Sequence, residues 1–216
     1  MHIDIWADIV CPFCYIGKRH LETALAGFPG REGVEIRWHS FELDPRAPER
    51  DDRSVAEILS AKYGQSPALT EEMLDRVIVL GAQSGLNLRL REAIRVNSFL
   101  AHRLIYLAAS HNLQDQAVER LMRAYFTEIE DLSNPETLIR LFDEIGISED
   151  VVRTTLDSGA FAGTVRDDER TAHELGISGV PFFLLDQKYA LSGAQPVSVF
   201  RQALADVFAK SEALAS

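Results

Sequence analysis

"DIVCPFCY" (residues 8–15) contains both cysteines of the chain, Cys11 and Cys14. The preceding segment, 2–8, alternates apolar and polar residues and predicts a strand, while Pro12 begins an apolar repeat that predicts a helix. The helix N-terminus favours a thiolate at Cys11, and Cys14 lies one turn deeper on the same face. We therefore interpret Cys11 as an attacking thiol and Cys14 as the thiol that resolves a mixed disulfide.

Two other roles for the cysteines stay open. They could form half of a structural zinc site, although no second CxxC pair follows and the six histidines are scattered, so that a dimer would have to share the ion. They could also be inert core thiols, since free cysteine is often buried. Their position at a strand-to-helix junction favours the reactive interpretation.

The composition is that of an ordinary soluble protein, with 46% hydrophobic and 25% charged residues in 216. A net charge of -11 argues against nucleic acid and anionic lipid as partners. No apolar run approaches the roughly 18 residues of a membrane span, and the N-terminus resembles no secretion signal. We expect a cytoplasmic protein without a membrane partner, in which any Cys11–Cys14 disulfide is transient.

The order of predicted elements indicates an α/β fold with an insertion. A second strand at 34–43 completes a β-α-β unit, and a hairpin (182–185 and 189–191) with a helix at 196–210 forms a β-β-α unit. Between them, periodicity predicts helices only, at 54–63, 69–84, 93–111, 114–128, 135–145, 148–158 and 161–175.

These units predict a discontinuous domain and an insert. Residues 1–50 and 176–216 together form the α/β domain, and residues 51–175 form an inserted all-helical domain.

A second local signal is "GVPFF" (179–183), in which Pro181 directly precedes an apolar strand. Proline removes a ladder hydrogen bond, so its position is explained either by a cis Val180–Pro181 bond in a tight turn or by a trans proline at the start of an edge strand. The residues alone leave both explanations open.

The two signals together resemble the DsbA-like branch of the thioredoxin superfamily, in particular its FrnE-type oxidoreductases. The similarity runs through residues 8–22, 40–45, 97–108 and 176–196 and so covers nearly the whole chain. It implies a thioredoxin fold (β-α-β plus β-β-α) with an inserted all-helical domain. The implied activity is that of a protein disulfide oxidoreductase or isomerase.

The resemblance also implies roles for individual residues. Cys11 is the nucleophile, Cys14 the resolving thiol, and Pro181 the cis proline whose loop packs against them, with the Val180 backbone binding an extended peptide. The implied partners are protein or small-molecule disulfides. No cofactor is implied beyond the redox-active disulfide, with glutathione a candidate co-substrate, and the oligomeric state is left open.

Two positions depart from the family pattern. Ile5 stands where thioredoxin and DsbA have a buried acid, so the proton carrier for Cys14 is either Asp8 or water, unless Asp8 is simply a turn or capping carboxylate. Phe13 stands where DsbA has a histidine that stabilises its reduced form. We therefore expect weaker oxidising power than that of DsbA.

Further substrate-binding candidates surround the cysteines. Pro12 and Phe13 lie between them, and His102, with Arg103, either faces the cysteines or forms a polar pair on a helix surface. The remaining prediction is an aromatic platform for substrates, comprising Trp6, Phe13, Tyr15 and Phe41, although Trp6 could equally belong to the core.

Two alternative functions remain from the sequence. Kappa-class glutathione transferases and 2-hydroxychromene-2-carboxylate isomerases carry serine at the position of Cys11, and a Ser-Asp-like pair where this chain has Ala194 and Gln195. A glutathione-dependent enzyme for aromatic metabolites should survive Cys14→Ser. A redox-inert binding protein should survive the loss of both thiols, whereas an oxidoreductase needs both.

Overall fold

A computed structural model describes residues 1–215, with side chains through residue 210. Its strands are β1 (His2–Ala7), β2 (Glu35–Ser40), β3 (Arg50–Asp51), β4 (Arg95–Val96), β5 (Phe182–Leu185) and β6 (Tyr189–Ser192). Its α-helices are α1 (Pro12–Ala26), α2 (Val55–Tyr63), α3 (Pro67–Gln83), α4 (Phe99–Ser110), α5 (Gln114–Arg123), α6 (Pro135–Asp143), α7 (Glu149–Ser158), α8 (Ala162–Glu174) and α9 (Val197–Ala215). A 3-10 turn at Arg31–Gly33 and a π-helical turn at Ala124–Glu128 complete the described elements.

The main sheet has the strand order β2-β1-β5-β6, with β1 parallel to β2 and antiparallel to β5. Ile3 and Ile5 of β1 are fully buried, as the alternating pattern predicts for one face of the strand. Ile5 pairs with Trp38 on one side and Phe183 on the other. The β-α-β and β-β-α units therefore form one sheet, which confirms the predicted thioredoxin fold.

The insert is mostly helical, with two corrections. The predicted helix 93–111 is wrong at its start, because Arg95–Val96 is a strand that pairs with Arg50–Asp51, and α4 begins only at Phe99. A two-residue strand is too short to show alternation, so no periodic pattern predicts it. The predicted helix 114–128 ends as an α-helix at Arg123 and continues as the π-helical turn.

One continuous hydrophobic core joins the sheet to the insert, from Ile3 in β1 to Phe142 in α6. The division of the chain into an α/β domain (residues 1–50 and 176–216) and a separate helical domain (residues 51–175) therefore stays a prediction. Through residue 215, the helices are all too short or too polar to cross a membrane.

A half-buried histidine connects the sheet to α8. His39 Nδ1 lies 2.9 Å from Asp168 Oδ1, and His39 Nε2 lies 2.8 Å from Asp4 Oδ1. The ring stacks on Trp6 with the centroids 4.5 Å apart. Burial disfavours the charge on His39, but the hydrogen bonds and negative charges of Asp168 and Asp4 outweigh it and raise the pKa of His39.

This arrangement predicts a pH-dependent stability. Because the folded-state pKa is raised, the contribution of His39 is complete below its unfolded pKa of about 6.5 and is lost as the pH rises through the folded value. We expect His39→Gln to lower the free energy of unfolding by about 1–3 kcal/mol at pH 6, with the difference shrinking at higher pH. Urea unfolding at a series of pH values measures it. The control is His173→Gln at an exposed position of α8, and a difference that does not vary with pH would contradict the prediction.

Candidate active site

The two thiols lie where β1 leads into α1. Cys11 is the N-cap residue with extended backbone (φ -97°, ψ 113°), and Pro12 occupies the first helical turn, where its missing N–H is not needed. The Cys14 backbone N–H donates to the Cys11 carbonyl oxygen at 3.0 Å. Both cysteines are free thiols and are nearly buried, with 4% of Cys11 and 1% of Cys14 exposed.

Cys14 is the thiol that resists ionisation. Burial raises its pKa well above the usual value, and the hydrogen bond and charge of Cys11 raise it further. A hydrogen bond with the Asp8 backbone lowers the pKa of Cys14. The negative charge of Asp8 raises this pKa, and its contribution is the smallest of these effects. The Cys14 thiol therefore stays protonated until a base accepts its proton.

The loop before β5 lies against the cysteines. The Val180–Pro181 bond is cis, and the Cys11 thiol contacts the Val180 carbonyl oxygen with 3.8 Å between sulfur and oxygen. Gly17 makes the approach of this loop to α1 possible, because a Cβ there would lie 3.0 Å from the Pro181 ring. The Gly193 N–H holds the loop by donating to the Pro181 carbonyl oxygen at 2.8 Å. The predicted placement of Pro181 is therefore present, while its role in binding stays a prediction.

Asp8 is buried behind the cysteines and is 1% exposed. Its carboxylate accepts from the Val10 N–H at 3.3 Å and from the Leu43 N–H at 2.8 Å, so it does shape the local turn. It also lies 3.4 Å from His102 Nε2, which is 1% exposed and has no hydrogen-bond partner among the described residues. Asp8 and His102 thus form a buried acid–base pair, and His102 is not a surface residue.

Arg103, next to His102, serves the fold. It is 4% exposed and donates to the carbonyl oxygens of Ala160, Thr155 and Leu156, near the end of α7. Burial lowers its pKa. Its guanidinium therefore secures α7 to α4, and the alternative of an exposed His-Arg pair is wrong.

A cavity of about 280 Å³ opens beside Cys11. It lies between the start of α1, helices α2 and α3, and the π-helical turn. The predicted residues Pro12 and Phe13 contribute to its wall, whereas His102 does not. The sequence missed the rest of the lining, which comes from separate elements: Val10, Leu43, Val55, Leu59, Lys62, Tyr63, Met73, Leu74, Val77, Leu90, Ala93, Tyr125 and Phe126.

The predicted aromatic platform is mostly wrong. Of its four members, Phe13 alone lines the cavity. Trp6 is buried and packs on His39 and with Phe41 in a separate cluster, because it faces the side of the sheet that α8 covers. Tyr15 is buried and donates to Glu119 in α5 at 2.8 Å.

No group of three or more histidine, cysteine, aspartate or glutamate side chains that could hold a metal ion occurs in the described part of the chain. The site therefore consists of two thiols, a backbone carbonyl, a buried acid–base pair and an apolar cavity.

Comparison with known proteins places this site in a family. A model of the DSBA-like thioredoxin domain matches residues 2–205. The probable DsbA oxidoreductase SCO1869 from Streptomyces coelicolor is 40% identical, with 97% of this chain and 90% of that one covered and a TM-score of 0.92. The protein YwbO of Bacillus subtilis is 26% identical over 95% of this chain and 96% of its own.

A 2-hydroxychromene-2-carboxylate isomerase of known structure is 18% identical, with both chains fully covered and a TM-score of 0.73, which indicates a shared fold. The match of the DSBA-like domain to almost the whole chain is the stronger result. The chain therefore belongs to the DsbA-like family of the thioredoxin superfamily.

Proposed function

We propose that this protein is a dithiol–disulfide oxidoreductase that exchanges disulfides through Cys11 and Cys14. The observation that carries the proposal is the arrangement of two free thiols in one helical turn, with the Val180 carbonyl oxygen 3.8 Å from the Cys11 sulfur. Cys11 borders a cavity, whereas Cys14 is buried behind it, so a substrate reaches Cys11 first.

The reaction has two steps. The Cys11 thiolate attacks one sulfur of a disulfide R–S–S–R′, forming Cys11–S–S–R and releasing R′S⁻. The Cys14 thiolate then attacks the Cys11 sulfur, releasing RS⁻ and leaving a Cys11–Cys14 disulfide. Two electrons pass to the substrate, and the protons of the two thiols neutralise the two thiolates released. The reverse of these two steps oxidises a substrate dithiol. If another thiol of the substrate attacks the mixed disulfide instead of Cys14, the substrate leaves with a rearranged disulfide.

The second step requires a base, because burial keeps Cys14 protonated. The negative charge of the Asp8 carboxylate raises the pKa of Cys14, and the Asp8 backbone forms a hydrogen bond with the Cys14 sulfur. In this proposal Asp8 accepts the Cys14 proton, and His102, 3.4 Å from Asp8, stabilises the carboxylate while it is charged. Ile5, at the usual position of the acid, has no proton to exchange.

The setting of the reaction is part of the proposal. A transient Cys11–Cys14 disulfide suits the cytoplasm, where a thiol pool keeps exposed thiols reduced. The partners are protein or small-molecule disulfides, with glutathione as a candidate co-substrate that regenerates the dithiol. No bound cofactor is needed, because the electrons reside in the thiols.

The glutathione-dependent isomerase is the weaker alternative. Cys11 stands where those enzymes carry serine, and the positions of their Ser-Asp-like pair hold Ala194 and Gln195. The likeness to the isomerase is one of fold.

Single substitutions of the thiols test the proposal. Cys11→Ser and Cys14→Ser should each lower the steady-state rate of disulfide reduction at least about 100-fold, because both steps are needed for turnover. The assay follows reduction of a disulfide substrate with an excess of dithiol reductant, and circular dichroism checks that each variant is folded. Full activity of Cys14→Ser would favour the isomerase or transferase, and full activity of both variants would contradict any thiol chemistry.

Asp8→Asn tests the proton acceptor. The amide keeps one oxygen for the turn but accepts no proton, so we expect the second step to slow about 10- to 100-fold, while formation of the mixed disulfide stays within about threefold. Single-turnover measurements separate the two steps. The control is Asp143→Asn at an exposed position of α6.

A faster second step in Asp8→Asn would contradict the role of Asp8 as proton acceptor. It is the result expected if Asp8 acts only through its charge, because removal of that charge lowers the pKa of Cys14.

A further inference from the structure

The cavity beside Cys11 sets the route by which a disulfide reaches the thiol. Cys11 is only 4% exposed, and the Val180 loop covers one side of its sulfur. The cavity also borders Cys11. Three large side chains of its lining stand partly in solvent, with exposed fractions of 42% for Phe13, 42% for Leu43 and 54% for Tyr63.

The interior of this cavity is apolar. Leu59 of α2 and the residues Leu74 and Val77 of α3 face Cys11 across it, with Phe126 from the π-helical turn. A volume of about 280 Å³ equals roughly nine water molecules at about 30 Å³ each. It therefore suits one aromatic ring or branched alkyl group next to the disulfide, and it is too small for the surface of a folded protein.

A second, smaller cavity of about 140 Å³ shares a wall with the first. The shared residues include Leu59, Lys62 and Tyr125. The second cavity adds Ser98, the Asp8 carboxylate and the Arg95–Asp44 ion pair. A ligand in the first cavity can therefore extend polar atoms towards the second.

Lys62 supplies a positive charge at this shared wall that the described part of the protein leaves unneutralised. It has no carboxylate within 4.0 Å in residues 1–210, whereas the nearby Arg95 is paired with Asp44 and lies 3.6 Å from Asp51. Lys62 is exposed to solvent, and its Nζ lies over the Tyr63 ring, 5.8 Å from the centroid. Its position at the rim of both cavities favours an anionic ligand group.

Tyr125 supplies an unpaired hydrogen-bond donor. It is 5% exposed, lines both cavities, and its hydroxyl bonds no other described residue. Burial and the charge of Asp8 raise its pKa, so the hydroxyl stays protonated. It belongs to the π-helical turn Ala124–Glu128, an irregularity that often occurs at functional sites.

We propose that the joined cavities bind a low-molecular-weight disulfide that has an apolar group next to its sulfur and a carboxylate at its far end. The apolar group fills the space beside Cys11, and the carboxylate meets Lys62 and the Tyr125 hydroxyl. This substrate class rests on the proposed function and uses its two steps unchanged. The Cys11–Cys14 dithiol donates two electrons, and a low-molecular-weight thiol or dithiol restores it.

Two aryl disulfides test the proposal in stopped-flow reactions with the reduced protein. Dithiobis(nitrobenzoate) carries a carboxylate on each ring, and dithiodipyridine is neutral. We expect Lys62→Gln and Tyr125→Phe each to slow the reaction with the carboxylated disulfide about threefold to tenfold, and to leave the neutral one within about twofold. High salt should reduce the Lys62 effect. Neither side chain has a carboxylate or hydrogen-bond partner among the described residues, and Lys62 Nζ lies over the exposed Tyr63 ring, 5.8 Å from its centroid, so the variants should remain folded.

The matched control is Lys188→Gln, an exposed lysine in the turn between β5 and β6, which should leave both rates unchanged. Equal effects of Lys62→Gln on the two probes, or no effect on either, would overturn this inference and leave the proposed function standing. A disulfide in an unfolded protein that reacts with the reduced enzyme faster than both probes would likewise overturn it. No reaction of the wild-type thiols with any disulfide would contradict the proposed function as well.

Discussion

The burial of the Cys14 thiol directly behind Cys11 is the constraint on which the site depends. One turn of α1 separates the two sulfurs, and desolvation keeps the inner one protonated. In the proposed reaction, Cys11 therefore reacts with the substrate first, and Cys14 attacks only after a base has accepted its proton. The turn between β1 and α1 supplies a candidate base, because the short segment that ends β1 brings Asp8 behind Cys14.

The sheet and the insert contribute different parts of the site. The sheet side supplies the thiols at the end of β1 and the Val180 carbonyl before β5. The insert supplies His102 from α4 beneath Asp8, and its helices α2 and α3 form the far wall of the Cys11 cavity. Substrate selection in our account thus belongs mainly to the insert, and the electron transfer belongs to the sheet side.

The sequence was most informative where the signal is local. The spacing of Cys11 and Cys14, with a proline at the helix start, is contained in four residues, and the loop at Pro181 is contained in three. The β-α-β and β-β-α units followed from alternation and connection rules. The two-residue strand Arg95–Val96 and the π-helical turn carried too few residues to produce a periodic pattern.

Side-chain direction across distant elements was the part that the sequence could not supply. Trp6 and Tyr15 lie beside the cysteines in the chain, yet the strand pleat turns Trp6 towards α8 and the helix turns Tyr15 towards α5. Conversely, Tyr63 and Tyr125 are far from Cys11 in sequence and meet at its cavity. Only tertiary packing determines which of these aromatic residues face a substrate.

The proposed reaction depends on the order in which the two thiols react. Acid quenching of the reduced wild-type protein at successive times after mixing with a disulfide, followed by peptide mass mapping, measures that order. We predict that a mixed disulfide on Cys11 accumulates first and is replaced by a Cys11–Cys14 disulfide. A first adduct on Cys14, or a Cys11 adduct that persists in the presence of an intact Cys14, would contradict it.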